Sequence, residues 1–252
     1  MRPRKPLIVG NWKMHKTVAE TRAFIGDLRA RTLPLAAVDA VICPPFTALC
    51  AAHDALAGSE VGLGAQNVGW AEAGAFTGEI APGMLVECGV TWVVIGHSER
   101  RAMFGELDER VNEKALAALA HGITPIVAVG ETEGEHAAGL ARDKVCAQVR
   151  AAFEGMPPAH VARCVVAYEP IWAIGTGNAD SPDEANHIMG EIRAAVDGLA
   201  NCRLLYGGSM KAENVTAYVQ QPNIDGGLVG GASLDPASFA ALLEGARKGV
   251  LA

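Results

Sequence analysis

Cys164-Val165-Val166-Ala167-Tyr168, halted by Glu169-Pro170, is the stretch from which the fold follows. Five consecutive apolar residues with no polar alternation describe a strand buried on both faces, as in a parallel sheet covered by helices. The same pattern recurs on either side, at residues 7–9, 38–42, 61–63, 92–95, 126–129, 204–206 and 227–229. Helical periodicity fills the gaps. Thr17-x-x-Glu20 predicts a capping box before Phe24, Ile25 and Leu28. Asp108 is expected to cap a helix that turns Val111, Ala115, Ala118 and Leu119 inward. Ser181-Pro182-Asp183-Glu184 combines a capping box with proline at the first helical position. Asp235-Pro236 opens a last helix with Phe239, Leu242 and Leu243 inward, and Arg247-Lys248-Gly249 is read as its end.

Eight strand signals, each followed by a helical segment, in 252 residues is the arithmetic of a (β/α)8 TIM barrel. A doubly wound open sheet shares the alternation. It usually carries a binding fingerprint after its first strand, and Val9-Gly10-Asn11-Trp12-Lys13 is not one. No linker divides the chain, so residues 1–252 are expected to form one α/β barrel domain.

Composition excludes several classes. With 50% hydrophobic and 19% charged residues, the chain is too apolar for intrinsic disorder. A net charge of −7 argues against a nucleic-acid or membrane-surface partner, which would need a basic face. The basic start is followed by an apolar run far shorter than the ~7–15 residues of a signal h-region. No stretch approaches the ~20 apolar residues of a membrane span. Six scattered cysteines without a Cys-x-x-Cys pair read as reduced core thiols of a cytoplasmic protein, and no metal-ligand spacing occurs.

In a barrel, chemistry belongs at the C-terminal ends of strands. Those ends carry Asn11-Trp12-Lys13, Gly96-His97-Ser98-Glu99-Arg100, Tyr168-Glu169-Pro170-Ile171-Trp172, Tyr206-Gly207-Gly208-Ser209 and Gly230-Gly231-Ala232-Ser233. Taken singly, each candidate has a plain reading. Lys13 suits a solvated loop, His97 a satisfied core imidazole or a helix start capped by Ser98, and Glu169 an exposed strand end. Together at one rim they point to chemistry, beside glycine turns whose backbone N–H groups can approach a phosphate. Ser98 lacks the second glycine of a nucleophile elbow, and no dinucleotide or Walker pattern occurs. A Schiff-base aldolase would need a lysine inside the barrel, and Val165-Val166-Ala167 offers none. A non-catalytic scaffold would not need all of Asn11, Lys13, His97 and Glu169.

These blocks, with Gly74-Ala75-Phe76-Thr77-Gly78-Glu79 and the run from Tyr168 through Ala173-Ile174-Gly175-Thr176-Gly177, resemble the signatures of the triosephosphate isomerase family. They keep the family's order across nearly the whole chain. The resemblance implies interconversion of dihydroxyacetone phosphate and glyceraldehyde 3-phosphate through an enediolate, without cofactor or metal. Glu169 is then the base, His97 the neutral electrophile and proton shuttle known for this family, Lys13 a fixed positive charge, and Asn11 a hydrogen-bonding partner of the substrate. Asn11, Lys13, Gly175, Ser209, Gly230 and Gly231 are implied to bind the phosphorylated substrate. Pro170, Ile171, Trp172, Ala173, Ile174, Gly175, Thr176 and Gly177 are implied to form a lid. Thr77 lies in the loop by which the family's subunits pair, so the resemblance implies a homodimer. The chain departs from the family pattern at three places: Asn178-Ala179-Asp180 after the lid, Ala128 before Val129-Gly130-Glu131, and His15 near the implied interface.

Overall fold

The computed structural model describes residues 4–174 and 180–251, and eight parallel strands close on themselves in sequence order. The strands are β1 Leu7–Asn11, β2 Asp39–Cys43, β3 Gly62–Ala65, β4 Trp92–Ile95, β5 Thr124–Val129, β6 Val165–Tyr168, β7 Arg203–Tyr206 and β8 Gly226–Val229. Around them run α1 Val18–Arg29, α2 Leu49–Leu56, α3 Pro82–Glu87, α4 Ser98–Phe104, α5 Asp108–Ala120 and α6 Glu133–Ala137. They continue with α7 Ala141–Ala152, α8 Pro158–Val161, α9 Pro182–Ala194, α10 Val215–Gln220 and α11 Pro236–Leu251. Closure is made by β1, which pairs with β2 on one side and β8 on the other, Leu7 opposite Asp39 and Gly226. The expected barrel is therefore present, and every predicted apolar run holds a strand.

Two cores explain why those runs are continuous. Leu7, Val9, Val41, Val94, Ile126, Val165, Ala167, Leu205 and Leu228 pack inside the barrel. The alternate residues Ile8, Ile42, Ile95, Val127, Val166 and Tyr168 join the layer between strands and helices. A strand's side chains alternate in direction. Here both directions are dry, so polar residues have no place, and burying each Val, Leu or Ile contributes roughly 1.5–3 kcal/mol.

Local signals fare unevenly. Thr17 accepts from the Glu20 amide and Glu20 reaches back, completing the predicted capping box. Ser181 caps α9 through the Glu184 amide, with Pro182 in the first turn. Asp108 is not the cap of α5 but its first helical residue; Leu107 occupies the cap, and the Asp108 carboxylate pairs with Arg101. Nor does α11 end at Gly249. That glycine is a packing point, because a Cβ there would meet the Thr216 carbonyl and Val219 Cβ, each at 3.0 Å. The expectation of all-reduced cysteines also fails. Cys50 on α2 and Cys88 at the end of α3 form a disulfide, their Cα atoms 4.7 Å apart. The helices that flank neighbouring strands bring together two residues that sequence distance had separated. Cys43, Cys146, Cys164 and Cys202 are free and buried, as expected.

Candidate active site

The last residue of β1 begins the site. Asn11 Oδ1 accepts from the Lys13 amide at 3.1 Å, while Gln66, just beyond β3, donates to the carbonyls of Lys13 and Cys43 at 2.8 and 2.9 Å. These bonds hold Lys13 at φ +52°, a left-handed conformation that costs a non-glycine residue about 1–3 kcal/mol. The strain aims the Lys13 ammonium at Glu99, 2.7 Å away on α4. Gln66 and Glu99 were not among the sequence candidates. Gln66 carried only a positional signal, being the first residue past a strand end. Glu99 lay within a quoted motif without an assigned role.

His97 itself caps α4, and Ser98 is the first helical residue rather than the cap. Its Nδ1 accepts from the Glu99 amide at 3.2 Å. An amide can only donate, so Nδ1 offers its lone pair and the imidazole's proton sits on Nε2. That Nε2 lies 3.1 Å from Glu169 Oε1. The other Glu169 oxygen accepts from the Ser98 amide at 3.0 Å. Among the described residues, the buried Glu169 carboxylate thus meets only an imidazole and one backbone amide. Neighbouring glycines make its position possible. A Cβ on Gly130 would lie 1.8 Å from the Glu169 carbonyl oxygen, and one on Gly207 2.7 Å from its Cγ.

The turn at β4 is fixed from behind. Glu106 accepts from the Gly96 amide, Arg100 and Lys114 at 2.9, 2.8 and 2.6 Å, and Lys114 also donates to Asn67. Burial opposes charge on Glu106, but the Lys114 and Arg100 contacts outweigh it and hold its carboxyl below the usual range. Burial draws the Lys114 ammonium down from its ordinary value.

A cavity of about 430 Å³ opens over these groups, lined by Asn11, Lys13, His97, Glu169, Ser209 and Gly230 among others. A Cβ on Gly231 would meet nothing within 4 Å, so the backbone there faces open space. Gly231–Ser233 forms a single 3-10 turn, the kind of helix start whose first N–H groups have no acceptor within the helix. Ser209 Oγ donates to the Ala173 carbonyl at 2.7 Å, tying the turn after β7 to the segment after β6. In that segment Ile171–Ala173 forms one 3-10 turn, the Ile171 amide donates to the Glu131 carbonyl and the Trp172 indole to Glu131 Oε1. Pro170, Ile171, Trp172, Ala173 and Ile174 of the implied lid are thus described; Gly175, Thr176 and Gly177 lie outside the described residues. Thr77 is not among the residues that line this cavity; it sits in an exposed segment, residues 72–79, braced by an edge contact of Phe76 with Trp70.

The comparisons with known proteins agree with this geometry. A sequence model of the family described as triosephosphate isomerase matches residues 6–246. A protein named triosephosphate isomerase from Symbiobacterium thermophilum is 50% identical over 249 residues, 96% of this chain and 97% of that protein. One of the same name from Chloroflexus aurantiacus is 51% identical, covering 96% and 99%, and one from Roseiflexus castenholzii 48%, covering 94% and 95%. A closed barrel, a glutamate against a helix-capping histidine and matches of this length leave one assignment: the chain belongs to the triosephosphate isomerase family.

Proposed function

We propose that this chain interconverts dihydroxyacetone phosphate and D-glyceraldehyde 3-phosphate, a step shared by glycolysis and gluconeogenesis, with residues 1–252 acting as one catalytic barrel in the cytoplasm. Its resemblance to the family and the names of its relatives support the activity; the contacts around Glu169 support the mechanism. The Glu169 carboxylate takes the proton from the carbon beside the substrate carbonyl, leaving an enediolate, and returns it to the neighbouring carbon. To do so it must leave His97, and its departure frees the Nε2–H of His97 to donate to the substrate oxygen where charge develops. Lys13, strained into place, supplies a positive charge there, and Asn11 a hydrogen bond. Backbone N–H groups at Gly175, Gly230 and Gly231, with Ser209, hold the phosphate. Residues 170–177 close over the intermediate, excluding water and retaining the phosphate group.

The observation that carries this reading is His97 accepting from an amide through one ring nitrogen while the other lies 3.1 Å from Glu169. It equips one group to abstract a proton and the next to donate one. The test is a coupled assay with glyceraldehyde 3-phosphate on the purified, folded protein. Turnover is expected; none would favour a phosphate-binding scaffold.

The same reading includes a homodimer. Met14, Met103 and Phe104 are 95, 74 and 69% exposed, an unusual apolar cluster for a free surface. They line a cavity of about 510 Å³ that shares Asn11, Lys13 and His97 with the active site. An exposed segment like that of Phe76-Thr77-Gly78 on a second copy fits such a cavity, and sedimentation should give twice the chain mass.

A further inference from the structure

Asp180 sits where the described chain resumes after residue 174, one residue before the cap of α9. Its backbone is held at both polar groups. The amide donates to Tyr206 Oη at 3.1 Å, and Tyr218 Oη donates to its carbonyl. The two phenols stack on one another with ring centroids 4.3 Å apart. The side chain has no such provision. Asp180 is 3% exposed, and neither carboxylate oxygen makes a hydrogen bond. A buried ionised carboxylate without donors is costly, whereas the neutral acid is tolerated.

The groups that face Asp180 do not rescue the charge. Glu184 lies in the first turn of α9 and Glu131 at the end of β5, both adding repulsion; His136 on α6 and the Ser181 amide act the other way. Tyr168, Tyr206 and Tyr218 complete the surroundings. Burial first, then Glu184, pushes the Asp180 carboxyl up to about 6. Glu131, also fully buried, is raised by the same cause; it bonds Trp172 and Tyr168 through Oε1, while its Oε2 has no partner. His136 lies against the Trp172 ring, centroids 4.4 Å apart. The segment after β6 therefore has acids behind both of its ends, Glu131 before it and Asp180 after it.

We propose that Asp180 is a positioning residue whose buried, unpartnered carboxylate makes the anchor at the C-terminal end of the lid segment proton-dependent. The protonated acid stabilises the arrangement seen here. Loss of the proton favours an arrangement in which the carboxylate reaches water or a donor, and the contacts that must give way are those of the two phenols that clamp the Asp180 backbone. Rising pH through about 6 thus loosens the anchor, and falling pH secures it. The proposal rests on the lid reading above, but its signal is separable from turnover.

The test uses the full-length protein labelled with 5-fluorotryptophan, the Trp172 resonance being identified by Trp172→Phe. Because the His136 ring lies against the reporter indole, the resonance is followed from pH 5 to 8 with that imidazole removed, in His136→Gln and in His136→Gln/Asp180→Asn. A step with its midpoint near 6 is expected in the first variant and its loss in the second; Asp180→Ser should also remove it should Asn impair folding. The kcat/KM of Asp180→Asn relative to unmodified protein, measured at each pH so that substrate titration cancels, should change across the same window. A step that survives loss of the acid, or a ratio constant with pH, overturns the assignment. An unmodified protein that shows the fluorine step but no isomerase turnover would instead overturn the function proposed above.

Discussion

Glu169 and Glu106 are both buried glutamates, and both grip the same turn at the end of β4, one through the Ser98 amide and the other through the Gly96 amide. Their remaining contacts divide them. Glu106 also holds Arg100 and Lys114, two cationic side chains. Glu169 has only an imidazole with its proton on the facing nitrogen. One carboxylate is locked and serves as support; the other is dry and lightly held. Burial alone therefore does not single out an acid for chemistry. What the proposed role of Glu169 draws on is burial without a fixed counter-charge, beside an imidazole.

The most severe way to break the comparison is to unlock Glu106. Lys114→Met keeps the volume of a buried stem but strands a carboxylate in a dry site, which typically costs about 3–5 kcal/mol. Urea unfolding should register that loss, and Gly96 and the His97 cap should loosen with it. A change under ~1 kcal/mol would mean that Arg100 alone satisfies Glu106. Next in size is Glu169→Asp. Shortening the base withdraws it from the reacting carbon, and misplacement of about 1 Å can cost ~10²-fold. The loss should fall on kcat, with binding of a phosphorylated transition-state mimic and the unfolding midpoint little changed. If kcat is unaffected, Glu169 is not the base.

The two glutamates also differ in how far the sequence announced them. Glu169 follows an apolar run at a strand end, where a local reading finds it, and Asn11, Lys13 and His97 are legible for the same reason. The structure brings them all to one cavity. The barrel was legible because its strands are dry on both faces, which writes an unbroken apolar run into each. Glu106, by contrast, looks like any loop acid, and Lys114 like a helix-surface lysine. Their pairing depends on how α4 and α5 fold back behind β4. Glu99 meets Lys13 across 86 positions, and Cys50 meets Cys88 across 38. Such long-range pairs leave no periodicity in the chain. Gly249 and Asp108 misled because a local rule has two uses: glycine ends helices and also admits close packing, and aspartate caps helices and also fills their first turn.

Acid sharpens the comparison with a smaller effect. The Glu106 carboxyl is held below its ordinary 4.5, so the stability it contributes is complete above the unfolded value and disappears as pH falls through the lowered folded value. Asp180 has the opposite sign. Its raised folded value favours the fold at low pH, and that advantage is lost as pH climbs from about 3.8 to about 6. Stability measured from pH 7 to 3 should therefore rise where Asp180 protonates before it falls where Glu106 does. Glu106→Gln should flatten only the acid limb and Asp180→Asn only the upper one. If Glu106→Gln left the acid limb intact, Glu106 would lose its place as the locked partner.

The smallest expected effect lies one residue from Glu106. Leu107 is the cap of α5, makes no side-chain hydrogen bond to the helix and is 66% exposed. An aliphatic cap leaves a first-turn amide without the acceptor that serine would provide, a difference of roughly 1 kcal/mol. Leu107→Ser should raise stability by about that amount, since the leucine surrenders little burial. Aspartate is the poorer choice, because Asp108 and Glu109 already crowd the first turn with negative charge. The gain should appear equally with Glu106 present or replaced by glutamine, because capping α5 leaves the Glu106 contacts to Gly96, Arg100 and Lys114 untouched. A gain that disappeared in Glu106→Gln would show the cap acting through the locked carboxylate, and the supporting region would then be one coupled unit rather than a helix start beside an ion network.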